Sequence, residues 1–316
     1  MSPSARTSDD AYSLLNHIGK TPMLRISRLP GSVQHQLYGK AEFLNPGGSV
    51  KSRTALGLIQ GAEAKGLLRP GSVIIEASSG NEGIALAMLA AYRGYCVQIV
   101  MPADVPKERQ RIIEAYGGEV VLVTPAATIQ ETMHRCLETA EELARKEGTF
   151  YARQFENPSN PRIHEETTAR EVLEQVDGEI GAVVAGVGTG GTLMGIARVL
   201  KRHQPSVRVV AVEPATAAVM SGGTNQTHAQ YGIGEGFVPP LVDVDLIDEV
   251  ETVTDEEAYE TARGLAKYEG LLVGITSGSN VVASLRVASR LAPGQRVVTI
   301  LPDSAERYFS SNLFSS

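Results

Sequence analysis

The chain has no tryptophan, 5% aromatic residues, only two cysteines and no basic excess. Each shortage excludes something. Cys96 lies in an apolar strand-like run and Cys136 in a helical pattern, so both read as reduced core or half-buried thiols and not as a disulfide. Lys and Arg number 29 against 36 Asp and Glu, a formal charge of −7, which gives no electrostatic case for nucleic acid. No apolar run approaches the roughly 20 residues of a membrane span. The opening MSPSARTSDD lacks the apolar and basic regions of a secretory signal. A cytoplasmic location is therefore the expectation. The six histidines (17, 35, 134, 164, 203 and 228) have no ligand spacing, and no Cys or carboxylate cluster joins them, so no metal site is expected. A G-x-S-x-G elbow is absent, which leaves serine-hydrolase chemistry without support.

What is present is an alternation. At 316 residues and 42% apolar content, the chain suits one large α/β unit or two domains of ordinary size. Strand patterns at 72–76, 96–101, 119–123, 182–186, 208–213 and 296–301 are interleaved with helical patterns. These helices are expected at 50–65, 81–93, 106–116, 128–147, 161–176, 192–203, 255–269 and 279–291. Such alternation predicts βαβ units and largely parallel sheets covered on both faces. The Asn/Pro-rich stretch 154–161 (QFENPSNP) and the glycine-studded loop 215–236 break the rhythm. Two doubly wound lobes with a cleft between them is the natural reading, and the ligand belongs past the carboxyl ends of the strands.

Four stretches carry chemistry. In NPGGSVKSR (45–53) a turn delivers Lys51 to the start of an apolar helix. Backbone amides and apolar walls there would lower its pKa and let it form a Schiff base, although a lone lysine is more often a solvated surface residue. In EASSGNEG (76–83) the amides of Ser79, Gly80 and Asn81 either converge on an anion at a helix start or belong to an ordinary N-cap. In GVGTGGT (186–192) four glycines in six positions permit close approach to a phosphate, with Thr189 and Thr192 as hydroxyl donors. The same Gly186, Gly188 and Gly191 also fit a dinucleotide fingerprint, with Glu213 as ribose-binding acid, which would make the protein a nicotinamide-dependent oxidoreductase. That reading leaves Lys51 and the 79–81 loop without work. In GITSGS (274–279), after the strand-like 271–273, Thr276 or Ser277 either meets a ring nitrogen or caps a helix.

Taken in order, these stretches resemble the cysteine synthase (O-acetylserine sulfhydrylase) and cystathionine β-synthase family of fold-type II pyridoxal-phosphate enzymes. The likeness runs from GKTP (19–22) through KAEFLNPGGSVK (40–51), MPADVPKERQRIIEAYGGEVVLV (101–123), QFENPSNP (154–161) and YGIGEGFVP (231–239) to LPDSAERYFS (301–310). It implies a fold of the tryptophan synthase β type. The large cofactor-binding domain would span 1–44 and 158–316, and the small mobile substrate domain 45–157. The family's roles fall on Lys51 as Schiff-base lysine and α-proton base, on Asn81 at the cofactor's 3′-oxygen, and on Gly188, Thr189, Gly190, Gly191 and Thr192 as phosphate cradle. Thr276 falls where the family usually has Ser at the pyridine nitrogen, and Ser78, Ser79, Gly80 and Gln154 where it binds the substrate α-carboxylate. The implied reaction is β-replacement on an activated serine, through an α-aminoacrylate, by sulfide or another thiol-type nucleophile. The implied partners are a second copy of the chain and serine acetyltransferase.

Two positions depart from the family. Glu82 stands in SGNEG where Thr is common. Glu235 stands in GIGEGF where cysteine synthases carry a small residue and cystathionine β-synthases an aromatic one; Gly236 keeps the cysteine-synthase choice. Either both glutamates face water, or one of them selects a nucleophile carrying an amino group, such as homocysteine or an amine. The chain is also expected to lack the haem region and regulatory domain of larger cystathionine β-synthases. Its final SSNLFSS has no terminal Ile, which leaves docking to the acetyltransferase open.

Overall fold

A computed structural model describes residues 13–223 and 225–314. The opening decapeptide, read above as carrying no secretory signal, lies outside the described residues.

The strands form two sheets. The first is six-stranded, in the order β1 (Met23–Ile26), β2 (Gln36–Ala41), β10 (Arg296–Leu301), β7 (Ile180–Gly186), β8 (Arg208–Pro214) and β9 (Glu249–Val253). Only β1 and β2 are antiparallel; every other pair in it is parallel. The second sheet is wholly parallel, in the order β5 (Glu119–Val123), β4 (Cys96–Pro102), β3 (Val73–Ala77) and β6 (Thr149–Tyr151).

Side chains alternate across each sheet, so every sheet has two apolar faces to cover. Ala182, Val184, Val210 and Val212 meet α8 (Asp255–Gly264) and α9 (Ile275–Ala288), while Val183, Ala185, Val209 and Ala211 meet α6 (Ala169–Gln175) and α7 (Gly191–His203). In the smaller sheet Ile74 and Ile99 pack on α1 (Lys51–Ala64) and α2 (Asn81–Arg93), and Ile75 and Val100 on α4 (Ile129–Leu143). Helices α3 (Lys107–Ala115) and α5 (Ser159–Ile163) complete the set. The expected pair of doubly wound α/β lobes is what the chain builds.

Some local expectations change. Residues 271–273 form no strand, only an isolated bridge from Val273 to Ser304, and α9 opens at Ile275, ahead of the expected 279. The glycines of GITSGS serve close packing: a Cβ at Gly274 would overlap Asp303 and one at Gly278 the carbonyl of Ala258. The helix expected over 161–176 is α5 and α6 joined by a π-helical turn, His164–Thr168, where Gly195 of α7 presses against Pro161 and His164. Cys136 is buried as anticipated, but Cys96 is exposed, because it opens β4 at the end away from the core.

Candidate active site

The carboxyl ends of β3 in the smaller sheet and of the parallel neighbours β7 and β10 in the larger one border a single cleft, about 860 Å³ and partly open to solvent, lined by Lys51, Asn81, Thr192, Thr276 and Asp303. Four helices open into it. Lys51 is the first residue of α1, Asn81 the first of α2, Thr192 the second of α7 and Thr276 the second of α9. Each helix start directs free N–H groups and the positive end of its dipole into the same space, which suits it to anions. Lys51 is half-buried, and the preceding Val50 N–H donates to Pro302 O at 2.8 Å, which fixes the lysine beside the end of β10.

Between β7 and the first turn of α7 the glycine positions have no room for a side chain. A Cβ at Gly188 would overlap the Gly232 carbonyl, and one at Gly191 would overlap Asn160 Oδ1. Gly190, at φ +81°, caps α7 in the left-handed region. Buried Asn160 supports the loop from beneath, donating to Thr189 Oγ1 at 2.9 Å and to Gln154 O at 2.8 Å. Thr192 Oγ1 lies 3.2 Å from His164 Nε2, on a ring that also meets Thr54 and Thr168. Burial, then the charges of Arg53 and Lys51, push the His164 pKa well below its usual value, so this imidazole is neutral. Glu213, the acid a dinucleotide reading requires, is spent elsewhere: it accepts from the N–H groups of Met220 and Ser221 at 2.8 and 2.9 Å.

In the loop after β3 the capping role falls to Ser78. Ser78 Oγ accepts from Gly80 N and Gly83 N at 3.1 and 3.2 Å, which is the work of a cap. Ser79 is left half-buried on the cleft wall. Gln154 is buried beside the end of β3, with Nε2 donating to Ala77 O at 2.8 Å. Asn81 donates to Asp303 Oδ2 at 2.6 Å and accepts from Arg307 at 2.7 Å. Thr276 Oγ1 donates to Tyr231 O at 3.1 Å.

Neither departure is fully exposed. Glu82 is 1% exposed, with both carboxyl oxygens buried and without a hydrogen-bond partner among the described residues. Burial raises its pKa to about 8, against a smaller opposing pull from Lys51. Glu235 is half-buried on the cleft wall, and burial raises it to about 7, opposed by Lys51 and Arg109. The reason is placement: position 82 falls on the inner face of α2, and 235 on a turn folded back over the cleft.

Residue-by-residue reading missed three more side chains. Arg109 is buried over the rings of Tyr231 and Tyr308, at 4.9 and 5.2 Å, and donates to Ser79 O at 2.9 Å. Asp303 holds Asn81 and the Tyr308 hydroxyl, each at 2.6 Å. Glu76, at the end of β3, accepts from Gln154 N at 3.1 Å; burial first, and then the Glu82 charge, lift its pKa well above the carboxylate range. Among the described residues no group of three or more His, Cys, Asp or Glu is placed to hold a metal ion.

Residues 14–303 match the pyridoxal-phosphate dependent enzyme family. A cysteine synthase of Staphylococcus aureus is 43% identical over 299 residues, covering 94% of this chain and 95% of its own length. The crystal structure of an O-ureido-L-serine synthase superposes with a TM-score of 0.91 at 43% identity, covering 96% of this chain and 95% of that one. That of an O-acetylserine dependent cystathionine β-synthase from Helicobacter pylori gives 0.89 at 36% identity, covering 98% and 100%.

Proposed function

The chain belongs to the pyridoxal-phosphate dependent enzymes, and from that premise we propose that it replaces the β-substituent of an activated L-serine with sulfide, giving L-cysteine. The observation that carries the proposal is one cleft shared by Lys51 and the glycine loop at the start of α7. The cofactor, when bound, supplies an electron sink for negative charge at the substrate α-carbon.

The rest falls to the chain's own residues. The Lys51 amine would hold the cofactor aldehyde and, as a free amine, would take the α-proton from the substrate. Gly188, Thr189, Gly190, Gly191 and Thr192 hold the phosphate. The fit rests on the overlaps a Cβ would make at 188 and 191, which keep this backbone bare, and on the helix start that follows. Asn81 and Thr276 orient the ring, Asn81 being held for this by Asp303 and Arg307. Ser79, Gly80 and Gln154 meet the substrate α-carboxylate, while Ser78 serves by shaping their loop. Arg109 steadies that loop through the Ser79 carbonyl.

The same reading assigns 45–157 to a small lobe that closes over the bound substrate and excludes water, and 1–44 with 158–316 to the lobe that holds the cofactor. A homodimer, a serine acetyltransferase partner and a cytoplasmic location follow the family. Among the described residues no helix is long and apolar enough to cross a membrane. The test is cysteine formation by the purified, cofactor-loaded chain from sulfide with O-acetylserine, O-phosphoserine or serine, which also identifies the leaving group. Lys51→Ala is expected to lower turnover by about 10³-fold or more and to abolish borohydride-fixed cofactor on the protein. Full turnover by that variant, or no cysteine from any donor, overturns the proposal.

A further inference from the structure

Arg109 is a buried cation that no carboxylate among the described residues pairs with. Its Nη1 donates to the Ser79 carbonyl at 2.9 Å, while Nε and Nη2 have no hydrogen-bond partner there, although the side chain is only 1% exposed. Glu235 feels the charge without bonding to it, and Arg307 is close enough to repel it. Taking a guanidinium out of water is costly without an opposite charge. Two tyrosine rings offset part of that cost: the centroids of Tyr231 and Tyr308 lie 4.9 and 5.2 Å from Cζ, a contact that strengthens where water is excluded.

The contact crosses from one sheet's core to the other's. Ile113, one turn further along α3, is buried in the core of the four-stranded sheet, whereas Tyr308 is buried in that of the six-stranded sheet and Tyr231 packs against it. One side chain thus joins the 79–81 loop to both. The fit is close, since a Cβ at Gly80 would overlap Arg109 Cδ. Tyr308 is fixed in turn by its hydroxyl on Asp303, which also holds Asn81. Arg109 packs on these rings only while the sheets stand this near. Were they to part, the guanidinium would leave the rings and regain water. The rings and the Ser79 bond favour the closed arrangement, and the unpaired charge opposes it.

We propose that Arg109 is the positioning residue through which the substrate carboxylate draws the two lobes together: on reaching the Ser79 loop, the carboxylate supplies the negative charge that Arg109 lacks when packed on the two rings. This rests on the β-replacement reading, which puts the α-carboxylate at that loop and divides the chain into two lobes. Arg109 touches no reacting atom, and no bond forms or breaks at it. Its attraction for the carboxylate acts in a dry site, where charges are screened far less than in water. A ligand shifts an equilibrium only by its differential affinity for the two states. The carboxylate meets the desolvated cation in one of them alone, so an amine without a carboxylate leaves the equilibrium where it was.

The test uses the holoenzyme and two ligands, L-alanine, which has no β-leaving group, and ethylamine, which is alanine without its carboxylate. Hydrogen exchange of the α3 amides is expected to slow with L-alanine and not with ethylamine. Arg109→Met keeps an unbranched side chain on the rings and removes the charge that opposes closure. In that variant α3 should be at least as protected without ligand as in the wild type, and L-alanine should add nothing. Calorimetry should show the preference for L-alanine over ethylamine falling at least about tenfold, the lower end for an interaction with a charged group. A merely structural role would instead lower α3 protection and weaken both ligands alike. Tyr231→Leu, which removes a ring and leaves Arg109 in place, should diminish the protection by L-alanine, and Tyr231→Phe should restore it. Equal protection by the two ligands in the wild type, a full alanine preference in Arg109→Met, or wild-type behaviour of Tyr231→Leu overturns the proposal. Failure of every serine donor to give cysteine would strike the β-replacement reading instead, while the alanine comparison, which needs no turnover, still decides the role of Arg109.

Discussion

Glutamate 82 makes the stability of the fold sensitive to pH near neutrality. Its carboxyl titrates at about 8 in the folded chain, against about 4.3 in an unfolded one. Between those values the folded state keeps a proton that the unfolded state has released, so stability falls as pH rises through the window. Glu82→Gln is expected to flatten that decline, which for one such group approaches about 1.4 kcal/mol per pH unit. Urea denaturation at about pH 5.5 and about pH 8 measures it, and parallel profiles for the two proteins would refute the assignment. A second residue-scale prediction concerns Gly191. A methyl group there drives into Asn160, which ties Thr189 to Gln154. Gly191→Ala should cost about 1–3 kcal/mol of stability by overpacking and weaken cofactor retention, read by thermal denaturation and by dialysis; retention equal to wild type would show that the loop tolerates a side chain.

At the scale of the elements, α1 is anchored at its first turn. Arg53 donates to Glu42 at 2.8 Å and to Glu171 of α6 at 2.7 Å, and Lys40 of β2 reaches the same Glu171 at 2.6 Å. Burial would raise Glu171, but its hydrogen bonds from Arg53, Lys40 and the Lys20 N–H outweigh that and hold it at about 2. Arg53→Met strands Glu42, which is fully buried, and should destabilise the fold by about 3–5 kcal/mol; a denaturant midpoint within error of wild type would refute the network's role. None of this network was legible in the chain, because Glu171, which joins it, lies 131 residues from Lys40 and 118 from Arg53 and meets them only once the sheets form. The elements themselves were more legible. Strands β5 and β10 and helix α2 fall where periodicity puts them. The edge strands β1 and β9 were not singled out, since one covered face in four or five residues leaves little pattern. Within the site, the glycine-rich stretch 186–192 stands out by its composition alone, whereas Lys51 gains its weight from the family resemblance. Arg109 gives no such signal: in KERQRIIEA it sits among other charges and looks like a solvated helix face. Only the folded chain shows it packed over two tyrosine rings.

The whole molecule is threaded so that one sheet is left unfinished while the other is made. Strand β2 pairs with β10, Gln36 of the one facing Arg296 of the other, and the entire four-stranded sheet lies between them in sequence. During synthesis from the amino terminus, the smaller lobe has all its strands by Tyr151, whereas the hairpin of β1 and β2 waits with a bare hydrogen-bonding edge until the last strand leaves the ribosome. A chain stalled before residue 296 therefore exposes a sticky ribbon beside an already folded body, and nascent copies sharing one message would be drawn to zip together along it.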